Sequence, residues 1–109
     1  MHELAIAESL VAAVVDKTGE QRVTTVRLSL GRLAGVVEDA LTFSFDIATI
    51  GTTLEGATLE IDEQPGRAWC RDCGTTSTVD DFILLCPCGS ADVDVVSGRE
   101  LQIMSVEVS

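Results

Sequence analysis

Basic residues are scarce in this 109-residue sequence. Seven lysines and arginines stand against eighteen acids, and the formal net charge of -11 leaves no basic footprint of the kind that polyphosphate binding requires. Nucleic acid is therefore not an expected partner. Long apolar runs are missing as well: no stretch approaches the roughly 20 residues that span a bilayer, so no membrane association is expected and the chain is read as soluble. Met1-His2-Glu3 lacks the basic region of a signal peptide, and acids punctuate the apolar stretch that follows, which makes a cytoplasmic location the default. There is no internal repeat, low-complexity tract or Pro/Ser-rich linker. Histidine occurs once, at position 2, and cysteine is absent outside residues 70–88.

What the sequence does have is concentrated in that block. The cysteines fall as Cys70-x-x-Cys73, twelve further residues, then Cys86-x-Cys88, with Gly74 and Gly89 directly after each pair. Two thiolate pairs on two short loops make a tetrahedral four-sulfur site, which suits Zn(II) in a structural role. A pair of disulfides is the competing reading and belongs to small secreted domains. A redox Cys-x-x-Cys is a third, but Cys70 follows Trp69 and precedes a second cysteine pair instead of opening a helix in a βαβ unit. The second pair has a single intervening residue, Pro87, where a zinc knuckle usually has two, so its loop must be tighter. Were Cys88 not to ligate, Asp92 and Asp94 would be the nearest oxygen donors.

The rest of the chain reads as an α+β unit. Leu4, Ala7, Leu10, Val11, Val14 and Val15 recur at helical spacing, and Gly19 ends that helix. Val26, Leu28 and Leu30 alternate with polar residues as a strand closed by Gly31. A second helix is expected from after Gly35 to about Thr49, with Glu38 and Asp39 in its first turn. Its apolar residues, Phe43 and Phe45 among them, cover more than one face, so burial on two sides is expected. Ala57, Leu59 and Ile61 mark another strand. From Glu100 to Val108 the alternation changes phase, which predicts a β-bulge near Met104 and Ser105, with Met104 itself in the core. The expectation is a small sheet of about three strands packed with two helices (residues 1–66 and 98–109), interrupted by a cysteine domain (67–97).

Position 2 gives the lone histidine a chemistry that no internal one has. The free α-amine of Met1, the His2 backbone amide and the His2 imidazole form consecutive chelate rings, and the Glu3 carboxylate can add an oxygen. A square-planar set of N and O donors favours Ni(II) or Cu(II), and spacing does not choose between them. The His2 amide, at the start of a helix, has no intrahelical acceptor to lose. Glu3 by itself is adequately explained as stabilising the helix terminus.

The opening Met1-His2-Glu3-Leu4-Ala5, the run Val26-Arg27-Leu28-Ser29-Leu30-Gly31 and the ending Cys86-Pro87-Cys88-Gly89-Ser90 resemble the HypA/HybF family of hydrogenase-maturation nickel chaperones over essentially the whole chain. The departure is one residue in the second cysteine pair, where the family usually has Cys-Pro-x-Cys. The resemblance implies a nickel site at Met1, His2 and Glu3 and a zinc site at Cys70, Cys73, Cys86 and Cys88. It also implies delivery of nickel, with a nickel-inserting GTPase, to the precursor of the NiFe-hydrogenase large subunit. Such a protein is a carrier and not an enzyme. The zinc block would be structural and hold a face for partners, with Arg67, Arg71 and Asp72 as polar residues that could contact one. A homodimer is left open. The alternative from another class is a zinc-ribbon module for protein or nucleic acid whose N-terminus has no metal function.

Overall fold

A computed structural model describes residues 2–79 and 83–109 of the chain. The chain forms two compact units, one of Met1–Leu28, Val36–Asp62 and Gln102–Ser109, the other of Ser29–Gly35 and Glu63–Leu101. Among the described residues, no helix is long and apolar enough to cross a membrane.

In the first unit, α1 (Glu3–Thr18) buries Ala7, Leu10, Val11 and Val14, one stripe at the helical repeat. It stops at Gly19, whose φ of 62° suits glycine and whose N–H donates to the Val15 carbonyl at 2.8 Å. Helix α2 (Glu38–Ala48) packs on α1 and buries Leu41 and Phe45. A three-stranded sheet has the order β2-β1-β6, with β1 at Val23–Gly31, β2 at Thr58–Gln64 and β6 at Leu101–Val108. Val23, Val26 and Leu28 from β1 complete the core of this unit together with Leu54 and Ala57. On the exposed side Arg27 of β1 pairs with Glu60 of β2 at 3.1 Å.

Two expectations for this unit fail. Helix α2 is covered on one side only, and Phe43 is 67% exposed, with Ile47 and Ile50 also exposed. At about 100° per residue, Phe43 lies roughly 200° around the helix from Leu41, so the face that buries Leu41 and Phe45 turns Phe43 outward. Met104 is likewise exposed. The half-buried residues of β6 are Leu101, Ile103 and Val106, so the phase slips by one residue at Met104–Ser105, where the sequence predicts the bulge. Met104 falls on the outward side of that slip.

The second unit holds a sheet that its sequence does not announce, since the cysteine block reads as loops. Strands β3 (Gly66–Cys70), β4 (Thr76–Val79) and β5 (Val93–Ser97) pair antiparallel in the order β4-β3-β5. Strand β3 alternates strictly: Gly66, Ala68 and Cys70 point inward, Arg67 and Trp69 outward. Opposite Cys70 stands Val93, and opposite Trp69 stand Thr76 and Asp94. A short 3-10 turn, Arg32–Ala34, adds Leu33 to a core that also contains Leu30, Ala68 and Val79, and in which two of the buried side chains are Cys70 and Cys86. So small a core is marginal by itself. Three glycines allow backbones to cross here. A Cβ on Gly31 would stand 2.1 Å from the Gly98 carbonyl oxygen, and one on Gly98 would stand 2.4 Å from the Gly66 Cα.

Candidate metal centre

The first cysteine pair sits where β3 runs into a turn. The Gly74 N–H donates to the Cys70 carbonyl at 2.8 Å and the Cys70 N–H to the Thr75 carbonyl at 3.0 Å, while Gly74 takes a φ of 71° that other residues seldom adopt. The second pair is closed tighter, as its single intervening residue requires. The Gly89 N–H donates to the Cys86 carbonyl at 2.8 Å, and the Cys86 N–H to the Ser90 carbonyl at 2.9 Å. Gly89 has a φ of 96°. Each turn thus reverses the chain within a few residues and leaves its two sulfurs on the same side.

Those turns bring together all four sulfurs, which lie within 4.8 Å of one another. Cys70 Sγ is 3.7 Å from Cys88 Sγ and Cys73 Sγ is 3.5 Å from Cys86 Sγ. A disulfide needs about 2.05 Å, so the four are free thiols. A tetrahedron of sulfurs about 2.3 Å from a zinc ion has an edge of about 3.8 Å, close to the two shorter separations. The donor set therefore fits Zn(II), and the shortened loop does not keep Cys88 out. Asp92 and Asp94, the oxygen donors considered in its place, are instead engaged by Arg71, which lies 3.0 Å from Asp92 and also bonds Asp94.

The cluster is anisotropic. Cys70 and Cys86 are buried, while Cys73 and Cys88 are exposed. The Thr75 hydroxyl, with the Thr75 N–H and the Cys86 thiol behind it, pulls Cys73 down to about 6. Cys86 is pushed up to about 12: the Cys88 N–H acts to lower it, but burial and the neighbouring sulfurs outweigh that pull.

Of the N-terminal group, Met1 lies outside the described residues. His2 is exposed, stands directly ahead of α1 and makes no side-chain capping hydrogen bond; its carbonyl accepts the Ile6 N–H at 3.1 Å. Glu3 is already partly engaged, for one carboxylate oxygen accepts the Val37 N–H at 3.2 Å. That bond is the main cause holding its carboxyl below the ordinary 4.5. Since Val37 is the N-cap of α2, Glu3 serves two helix starts, which sequence spacing does not reveal. Sequence reasoning also missed Thr75 and Ser90. It offered Arg71 and Asp72 as partner contacts, but both are bonded within the unit, Asp72 to the Ser90 hydroxyl; Arg67 remains exposed on the outer face of β3.

Comparison with known proteins places the chain. A family profile described as hydrogenase/urease nickel incorporation metallochaperone, hypA, matches residues 1–108. The hydrogenase maturation factor HypA of a Nostoc species is 44% identical over 108 residues, covering 99% of this chain and 96% of the relative. That of Streptomyces avermitilis is 47% identical over 113 residues, covering 97% and 86%. Among solved structures, the solution structure of the Ni metallochaperone HypA from Helicobacter pylori shares the fold with a TM-score of 0.68 at 21% identity, covering 99% of this chain and 97% of that one. With a family match over nearly its whole length and a four-sulfur cluster in place, this chain belongs to the HypA family of hydrogenase maturation metallochaperones, which are carriers and not enzymes.

Proposed function

We propose that this chain carries Ni(II) on its N-terminus and keeps Zn(II) at Cys70, Cys73, Cys86 and Cys88 as a structural ion. Nickel is cargo. Its donors are the Met1 amine, the His2 amide and imidazole, and the Glu3 carboxylate, so the first unit is the nickel-binding domain and the second the zinc-binding one. The observation that carries the reading is the state of His2 in a nickel-incorporation family: an exposed imidazole ahead of α1 with no capping bond to give up. The N–H groups at a helix start have no intrahelical acceptor, so the His2 amide can lose its proton to the metal without breaking the helix ladder.

Glu3 supports the reading in a second way. A carboxylate tied to Val37 by one oxygen offers the other to a metal, and its bond orients the donor as an outer partner orients a ligand. The His2 imidazole is nevertheless open to water and makes no capping bond. Moderate affinity and ready ligand exchange follow, and these are what a carrier needs. The recipients we infer are the hydrogenase large-subunit precursor and the GTPase that inserts nickel into it, in the cytoplasm.

Metal analysis and Ni(II) titration of untagged protein with its native Met1, beside His2→Ala, test this. The expected result is one tightly held zinc in both proteins and a nickel site present only with His2. Equal nickel binding by both would remove the N-terminal site. A tag ahead of Met1 should abolish it too, because it converts the amine to an amide.

A further inference from the structure

We propose that Arg71 and Asp72, the two residues enclosed by the first cysteine pair, are positioning residues that fasten the second cysteine turn onto the first and so slow the loss of zinc. This rests on the assignment of zinc to the four sulfurs. Arg71 spans two carboxylates: one guanidinium nitrogen lies 3.0 Å from Asp92 and the other bonds Asp94. Its backbone N–H also donates to the Asp92 carbonyl at 3.0 Å. Asp72 accepts the Ser90 hydroxyl, and the same Ser90 oxygen accepts the Asp92 N–H at 3.0 Å.

The strap has a geometric purpose in this chain. The second turn holds only Pro87 between its sulfurs, and its own backbone bonds set those two sulfurs relative to each other but not relative to the first turn. Ser90 is two residues past Cys88, and its carbonyl accepts the Cys86 N–H; fixing Ser90 therefore fixes that turn from both ends. The first turn does the fixing, through Asp72 directly and through Arg71 by way of Asp92 and Asp94. Side chains between Cys70 and Cys73 thus set where Cys86 and Cys88 stand. The pairs are half exposed, and an isolated exposed pair is worth little. Here one guanidinium, three carboxylates, a hydroxyl and two backbone N–H groups share a network, which is the circumstance in which such pairs matter.

The test is the rate at which zinc-loaded full-length protein gives up zinc to a chromogenic chelator, for wild type, Arg71→Gln, Arg71→Lys and Ser90→Ala. Circular dichroism and Trp69 emission monitor folding, and Co(II) substitution reports four-thiolate geometry through its absorption bands. Arg71→Gln and Ser90→Ala should each release zinc about tenfold faster, the low end of what outer partners contribute at metal sites. Arg71→Lys, which keeps the charge but not the two-pronged fork, should fall between. The advantage of wild type over Arg71→Gln should shrink at 1 M salt, because an exposed ion pair is screened; a merely structural loss would not respond to salt in this way. Should Arg71→Gln fail to fold, Ser90→Ala and Arg71→Lys decide the matter alone. Release within twofold of wild type in the folded variants overturns the proposal and leaves the zinc assignment standing. A wild-type protein that holds no zinc removes the assignment itself.

Discussion

Gly31→Ala is the substitution whose cost can be worked most directly from the structure. An alanine Cβ at position 31 would stand 2.1 Å from the Gly98 carbonyl oxygen, 2.2 Å from its carbon and 2.8 Å from the Arg99 nitrogen. All three are backbone atoms, so no side chain can swing aside. The segments must separate, and two hydrogen bonds hold them: the Gly31 N–H to the Glu100 carbonyl at 2.8 Å and the Leu33 N–H to the Gly98 carbonyl at 2.7 Å. Overpacking costs about 1–3 kcal/mol, and each lost hydrogen bond about 1 kcal/mol. Reduced freedom of the unfolded chain returns about 0.4–1 kcal/mol. The net is a destabilisation of about 3 kcal/mol, or a melting temperature lower by roughly 15 °C for a domain of this size. Thermal melts of zinc-loaded protein followed at Trp69, the only tryptophan and a residue of the same unit, measure it. A change below about 0.5 kcal/mol, the scale of an ordinary surface substitution, would refute the close approach.

Two further outcomes are expected. Phe45→Ala should destabilise the first unit by about 3–5 kcal/mol, because Phe45 is fully buried, while Phe43→Ala should stay within about 0.5 kcal/mol; equal losses in far-UV melts would show that α2 is covered on both sides. Glu3 provides a pH test on nickel-free protein. Its carboxyl in the folded chain lies below the ordinary 4.5 because the Val37 N–H favours the charged form, so its contribution to stability is complete above that value and is lost as pH falls through the lowered one. Glu3→Gln should therefore narrow the gap in stability between neutral and acid pH, and denaturant midpoints that keep the wild-type gap would contradict the bond.

Much of the site was legible because its information is local. Four cysteines within nineteen residues, each pair followed by glycine, specify a four-sulfur cluster from spacing alone, and the sulfurs do converge. The second sheet was not legible. Strands of four or five residues, such as Thr76–Val79, are too short to show a periodicity, and β3 reads as a strand only when its partners are known. The same holds for Arg71 and Asp72, which look like free surface charges until the chain brings Ser90, Asp92 and Asp94 beside them.

By itself the sequence determined what depends on near neighbours: the α1 stripe and its glycine stop, the alternation of Val26, Leu28 and Leu30, and the four sulfurs that the two cysteine turns bring together. Tertiary structure alone decided which apolar residues are covered and which polar ones are paired. Phe43 and Phe45 are the same residue type two positions apart, and only the packing of α1 against one side of α2 leaves one in water and the other in the core. Periodicity lists the faces a helix could bury; burial itself is a property of the neighbour that arrives.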